Sequence, residues 1–347
     1  MFDDKKLPIF DGHNDSLLRF FYKHRERKSF FNRHNFGHID FPRIKEANFI
    51  GGFFALFVPP IESPNTQKNK SKRPQLSPPI EMNYAYKNIC AQLDYLDTIA
   101  EHQQVFLVKK SQDLQKCYTT SSLGVVLHLE GASAIKDFLT LEYFYQRGLR
   151  SLGLVWSRAN KYGVGAPFAF PHTPDIGPGL TPLGKELVHK CNEMGIVVDL
   201  AHLNEQGFWD AAKISSKPLI VTHSAVHAIC PSSRNLTDSQ IKAVADSGGV
   251  IGINLGVMFI RRDGKIKADT SIEDIVAHFE YIINLVGAQH VAFGSDLDGI
   301  YISPQIQDVV GLHKVLYALR EKGYSADSLQ KIAYQNWFRV LKDTLVN

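Results

Sequence analysis

Residues 181–224 read TPLGKELVHKCNEMGIVVDLAHLNEQGFWDAAKISSKPLIVTHS. The stretch opens as a helix, with Thr181 as a capping residue, Pro182 at the first helical position and Gly195 at the end of the run. IVVDLA (196–201) follows at once, short, β-branched and apolar, the composition of a strand buried on both faces. PLIVT (218–222) repeats that composition, and a histidine follows each run, His202 after the first and His223 after the second.

The same alternation extends in both directions. Toward the N-terminus lie PIFD (8–11), FIGGFFALFV (49–58), LGVVLHL (123–129) and LRSLGLVW (149–156); toward the C-terminus lie GGVIGINL (248–255) and HVAFGS (290–295). Capped helical segments start at Thr237 (TDSQIKAVADSGG) and at Ser271 (SIEDIVAHFEYIINLVG), the latter with an acidic first turn. Strand and helix alternating about eight times, with no shift in composition, predict one (β/α)₈ TIM barrel spanning residues 1–347. The alternative, a doubly wound open sheet, calls for a GxGxxG turn after the first strand, and DGHND (11–15) is not one. Residues 59–79, rich in proline and polar residues, read as an insertion after the second strand. SADSLQKIAYQNWFRVLKD, within about 325–345, reads as an extra amphipathic helix closing the barrel.

Composition bounds the function. The chain has 347 residues, 44% hydrophobic and 21% charged, so it is long enough to bury a large core, and its formal net charge of +4 comes from interspersed charges. The densest basic run, 68–73, lacks interleaved aromatics, so a solvated loop is expected rather than a nucleic-acid patch. Cys90, Cys117, Cys191 and Cys230 show no CxxC spacing, which fits reduced thiols in a cytoplasm. No apolar signal core, membrane span or hydrophobic anchor tail is read, so a cytoplasmic protein without membrane attachment is expected.

Metal-type residues fall at strand ends. Asp11, His13 and Asp15 follow the first strand at period two and are expected to converge on the barrel mouth. Glu130 closes the third strand, His202 the fifth, His223 the sixth and Asp296 the eighth, and in a parallel barrel these ends share one rim. Histidines and carboxylates without ligating cysteine suit a catalytic site for borderline divalent metals such as zinc. Two metals ~3.5–4 Å apart lower the pKa of bound water from about 15.7 toward 7, supplying a nucleophile without Ser or Cys. His128, two residues before Glu130, reads as a buried residue behind the ligands. HSAVH (223–227) on a helix would resemble an HxxxH zinc pair, but the preceding strand puts His227 in the following turn, and His223 is preferred.

DGHND (11–15), LEGA (129–132), VDLAH (198–202), VTHS (221–224), RNLTD (234–238) and GSDLDG (294–299) occur in one order through most of the chain. In these segments the sequence resembles the membrane dipeptidase (renal dipeptidase) family, peptidase M19. The resemblance implies a two-zinc hydrolase of dipeptides, with a D-residue tolerated at the C-terminal side. By it, His13 and Asp15 are similar to ligands of the first zinc, Glu130 to the bridging carboxylate, and His202 with His223 to ligands of the second. Asp296 is similar to the acid/base. Arg234 resembles the clamp on the substrate's free carboxylate, for which a guanidinium fork is suited. Family members often pair as homodimers.

One departure stands out. Mammalian members carry a His after the fourth strand, thought to stabilise the oxyanion, where this chain has Trp156. Arg158 or Asn160 is expected to assist instead, or the metal to polarise alone. Trp156, Tyr162 and residues 163–174 are expected either to wall the pocket or to pack the core. Two other readings stand beside the dipeptidase: an amide or lactone hydrolase on the same barrel, and a metal-binding barrel without turnover. Arg234 favours a substrate ending in a carboxylate.

Overall fold

The computed structural model of the chain describes residues 6–23, 30–60, 76–120 and 122–346. Eight parallel strands succeed one another around a barrel: β1 (Ile9–Asn14), β2 (Phe49–Leu56), β3 (Leu123–Glu130), β4 (Leu149–Gly153), β5 (Val197–Asp199), β6 (Ile220–Ser224), β7 (Val250–Ile253) and β8 (Val291–Phe293). Each pairs in parallel with its sequence neighbour, as in Phe53 opposite Val126 and Gly252 opposite Ala292. Every residue of the eight strands is buried, which is why the sequence shows continuous apolar runs rather than alternation. A short strand, Val105–Leu107, pairs with the start of β3.

The circle closes between β8 and β1 just past the strand ends. Asn14 bridges Leu297, Asp15 N donates to Leu297 O at 2.9 Å, and Asp296 N donates to His13 O at 2.9 Å. The Asp11 carboxylate clamps the same seam, accepting from Ser295 N (2.8 Å) and Ser295 Oγ (2.6 Å). Asp11 is thereby spent on closure, and the expectation that it reaches the mouth with His13 and Asp15 is corrected.

The capping residues read from sequence take their places. Thr181 Oγ1 accepts from Gly184 N at 3.0 Å ahead of the helix Pro182–Met194, and Gly195 ends it at φ 69. Ser271 and Asp274 exchange hydrogen bonds at the start of Ile272–Val286. Of the insertion read at 59–79, residues 61–75 lie outside the described residues. The C-terminal segment is helical from Ala326 to Thr344, with one π-turn at Lys331–Gln335. It sends Trp337 against β1, β2 and β8. The indole Nε1 donates to Phe293 O at 2.9 Å, the ring lies 5.1 Å from Phe53, and a Cβ at Gly12 would sit 2.3 Å from it.

His278, on the helix Ile272–Val286, is fully buried. Its Nδ1 accepts from Val226 N (3.0 Å) and its Nε2 lies 2.9 Å from Ile260 O, a pattern only the neutral ring satisfies. Burial lowers its pKa from 6.5 to about 4. The unfolded chain takes up this proton near pH 6.5 and the folded chain does not, so the stability gained is full above that pH and is lost as pH falls toward 4. Roughly 3 kcal/mol of acid destabilisation follows from this one group. In urea unfolding at a series of pH values, His278→Gln is expected to flatten the loss of stability between pH 6.5 and 4.

Candidate metal centre

At the C-terminal rim of the barrel three imidazoles and three carboxylates meet, all buried. His13, on β1, has Nε2 3.5 Å from Asp15 Oδ2 and 3.9 Å from Glu130 Oε1. Glu130 ends β3, and its Oε1 also lies 3.0 Å from His202 Nε2 and 3.6 Å from His223 Nε2. The Nε2 atoms of His202 and His223 face each other at 2.9 Å. Two groups have all their donor atoms within 4.8 Å of one another: His13, Glu130 and His223, and His13, Asp15 and Asp296. His13 is common to both groups and thus stands between a histidine side, which includes Glu130, and an aspartate side. His202 and Asp296 reach inward from left-handed backbone, at φ 66 and 57, a conformation unfavourable for L-residues.

The electrostatics follow from dryness. Burial drives the carboxyls of Glu130 and Asp296 upward, and Asp15 beside them adds to it. Burial alone would lower His13, but Glu130, Asp15 and Asp296 outweigh it and raise it to about 10. His202 and His223 are pushed well down, first by burial and then by the cations around them. A pocket of this kind demands positive charge. His13 Nδ1 and Nε2 and Asp15 Oδ1 are buried without a hydrogen bond, and two imidazole nitrogens converge where at most one proton can lie between them. A donor set of imidazole and carboxylate oxygen, without thiolate, fits a borderline divalent metal.

Other sequence expectations resolve as follows. His128 is fully buried beside this cluster, its ring 5.5 Å from that of His13 and its Nδ1 2.9 Å from Ser151 Oγ. His223 is in β6 while His227 is in the turn beyond, its Nε2 3.1 Å from the His172 carbonyl oxygen. Asn160 is committed to a local hairpin: Nδ2 donates to Leu154 O and Oδ1 accepts from Tyr162 N, so this amide is not available to a substrate. Tyr162 is core, its hydroxyl donating to Ile135 O. Two residues at the site went unread in the sequence. Ser157 Oγ lies 2.8 Å from His202 Nδ1. Asn254, just past β7, donates through Nδ2 to Asp296 Oδ2 at 2.8 Å, and its Oδ1 accepts from Gly256 N at 2.6 Å, which fixes the amide's orientation. The signal for Asn254 was its place, at the end of a strand to which no site residue had been assigned.

Two guanidiniums flank the centre. Arg234 is buried, donates weakly through Nη2 to His223 O at 3.4 Å, leaves Nε without a partner, and lies over the Phe259 ring. Burial lowers its pKa to about 10, against the pull of Glu130 and Asp296. Arg158 donates to Val58 O at 2.8 Å and is held over Trp156 and Phe57, with Nε and Nη1 dry and unpartnered. Trp156 lies 5.7 Å from the His202 ring and 5.5 Å from Phe168, which is 42% exposed and stacks on Phe259 at 6.0 Å. An aromatic wall therefore runs from Arg158 to Arg234 beside the metal-type cluster.

A parallel barrel with this cluster at its C-terminal rim defines a metal-dependent hydrolase. The sequence profile of the membrane dipeptidases (peptidase family M19) matches residues 4–346, and the chain belongs to that family of metallo-dipeptidases. It is 39% identical to the dipeptidase AC, a metallopeptidase whose crystal structure agrees at a TM-score of 0.91 over 98% of this chain and 99% of that one. It is 38% identical to a metallopeptidase of Rhodobacter sphaeroides, solved with a phosphinate mimic of the dipeptide L-Ala-D-Ala, with a TM-score of 0.91 over 98% of this chain and 100% of that one. Dipeptidase aclJ of Aspergillus oryzae is 28% identical over 97% of this chain and 78% of its own length.

Gly299 lets the chain pass over the carboxylates: a Cβ there would lie 2.1 Å from Asp15 Oδ2 and 2.4 Å from Asp296 Oδ1. Gly299→Ala is expected to keep the barrel, read by circular dichroism, while losing at least ten-fold in metal affinity, read by chelator competition.

Proposed function

We propose that the chain is a zinc-dependent dipeptidase that binds two zinc ions and hydrolyses dipeptides of the form L-Xaa-L/D-Xaa. The observation that carries this reading is the meeting of His13, Asp15, Glu130, His202 and His223 around one point, with Asp296 and Arg234 beside them. In it His13 and Asp15 would hold the first ion, His202 with His223 the second, and Glu130 would be shared between them. When bound, the metal pair lowers the pKa of a water toward neutrality and polarises the substrate carbonyl.

The chain's own residues do the rest. Asp296, oriented by Asn254, takes the proton of the attacking water and passes it to the nitrogen of the leaving amine. Burial raises its carboxyl toward the range in which it can both accept and return a proton. Arg234 receives the dipeptide's terminal carboxylate in a dry setting, where a fork of N–H groups reads both its charge and its position. A longer peptide would place an amide where that carboxylate belongs. The Rhodobacter relative's L-Ala-D-Ala mimic supports the D-tolerance. Trp156 walls the site, and with Asn160 committed elsewhere the assistance to the oxyanion passes to the fixed charge of Arg158.

A single catalytic domain, a cytoplasmic setting and pairing into a homodimer complete the proposal. The four cysteines are free thiols, and among the described residues no helix is long and apolar enough to cross a membrane. A related amide or lactone hydrolase is the second reading, and Arg234 disfavours it because a substrate without a carboxylate would leave its buried Nε unpartnered.

Incubated with L,L and L,D dipeptides, the zinc-loaded protein is expected to turn over, and a chelator to abolish the activity. Asp296→Asn should lower kcat by ~10²–10⁴-fold. Arg234→Gln should lower kcat/KM by about 10–100-fold, a loss matched in the wild type by dipeptide amides. Equal rates on dipeptides and their amides would favour the second reading, and metal binding without turnover on any substrate would favour a non-catalytic barrel.

A further inference from the structure

Beneath the ligands lies a buried polar layer that the mechanism above leaves unused. Asp199, the last residue of β5, accepts through Oδ1 from the backbone N–H groups of Ala201 (3.0 Å) and Thr222 (2.8 Å). Its Oδ2 accepts from Thr222 Oγ1 at 2.6 Å. The same Thr222 Oγ1 lies 2.9 Å from His223 Nδ1. Asp199 is 1% exposed and Thr222 and His128 are fully buried, with His128 Nε2 3.6 Å from Asp199 Oδ2. No solvent competes for these bonds.

With Asp199 ionised, the proton count has one consistent solution. A hydroxyl has a single proton to give, and a carboxylate can only accept. Burial pushes the Asp199 carboxyl upward, but two backbone N–H groups donate to its Oδ1, and such donors favour the anion. Thr222 therefore donates to Asp199, and toward His223 it can only accept. His223 must then bear its proton on Nδ1 and present a bare lone pair at Nε2, the atom 3.6 Å from Glu130 Oε1. His202 lacks this constraint, because Ser157 Oγ, facing its Nδ1, makes no other hydrogen bond among the described residues.

We propose that Asp199 and Thr222 are positioning residues that lock His223 in the Nδ1–H tautomer and hold its ring ready for a divalent metal, on the histidine side of the centre only. The inference rests on the metal reading above and deepens it: of two ions, one depends on a relay running across β5 and β6, and the other does not. A carboxylate behind a metal-bound imidazole is a general device for orienting ligands. Here a threonine hydroxyl is interposed, so the alcohol sets the direction of the proton.

The zinc-loaded protein, challenged with increasing chelator and read for zinc released, tests this. Thr222→Val removes the hydroxyl at nearly constant volume. It is expected to make one of two ions about 10–100-fold easier to remove, with the other held as in the wild type, and Thr222→Ser should restore retention. A folded Val variant that holds both ions like the wild type overturns the proposal, as does equal weakening of both. If Thr222→Val does not fold, ¹⁵N–¹H correlation spectra of the zinc-loaded wild type decide: a proton on His223 Nδ1 supports the relay, and coordination through Nδ1 overturns it. A wild-type protein that retains no zinc fails at the earlier step, which separates failure of the metal reading from failure of the relay.

Discussion

The constraint on which the rest of the molecule depends is the confinement of three carboxylates, Asp15, Glu130 and Asp296, in a dry barrel mouth. Removing a carboxylate from water costs several kcal/mol unless a partner of opposite charge is close, and here the carboxylates also repel one another. Arg234 and Arg158 supply positive charge from the flanks, yet the inner wall is imidazole. His13 drawn up to about 10 expresses the deficit: the nearest cation within reach is a proton on this imidazole. A divalent ion held here would remove the same deficit in place of that proton, which would couple metal affinity to acidity.

A cluster this unfavourable persists only because the scaffold over-determines it. His202 and Asp296 sit in left-handed backbone immediately after their strands, where a residue in ordinary extended conformation would aim its side chain elsewhere. The seam between β8 and β1 is tied by the Asp11–Ser295 clamp and by the Asp15–Leu297 and Asp296–His13 backbone bonds, so residues at the two ends of the chain are held at hydrogen-bond distance. Trp337 supports the same seam from the C-terminal helix by bonding Phe293 O. Stability and chemistry are thus joined at one place.

The wall of Trp156, Phe168 and Phe259 gives the mouth its character. Beside the Trp156 indole the neighbouring charge, Arg158, is pinned between rings and a backbone carbonyl. A charge fixed in a dry site acts without reorganisation.

The eight strands were legible because a strand buried on both faces writes itself as a continuous β-branched run, and IVVDLA and PLIVT do so without tertiary help. Period two and parallel topology likewise place Glu130, His202, His223 and Asp296 on a common rim before any coordinate is known. The sequence could not distinguish residues of the same type by what they face. Asp11 shares the period of His13 and Asp15 yet bonds Ser295, some 284 positions away in sequence, and Asn160 stands beside Arg158 yet closes a hairpin. Asn254, Ser157 and Thr222 carry no metal-type signature, and they, like Asp199, matter through partners on neighbouring strands. Local pattern decides which element forms and which side its residues leave from; the hydrogen-bond partner of a buried polar group is decided by the chain that packs against it, and that is settled only when the barrel closes.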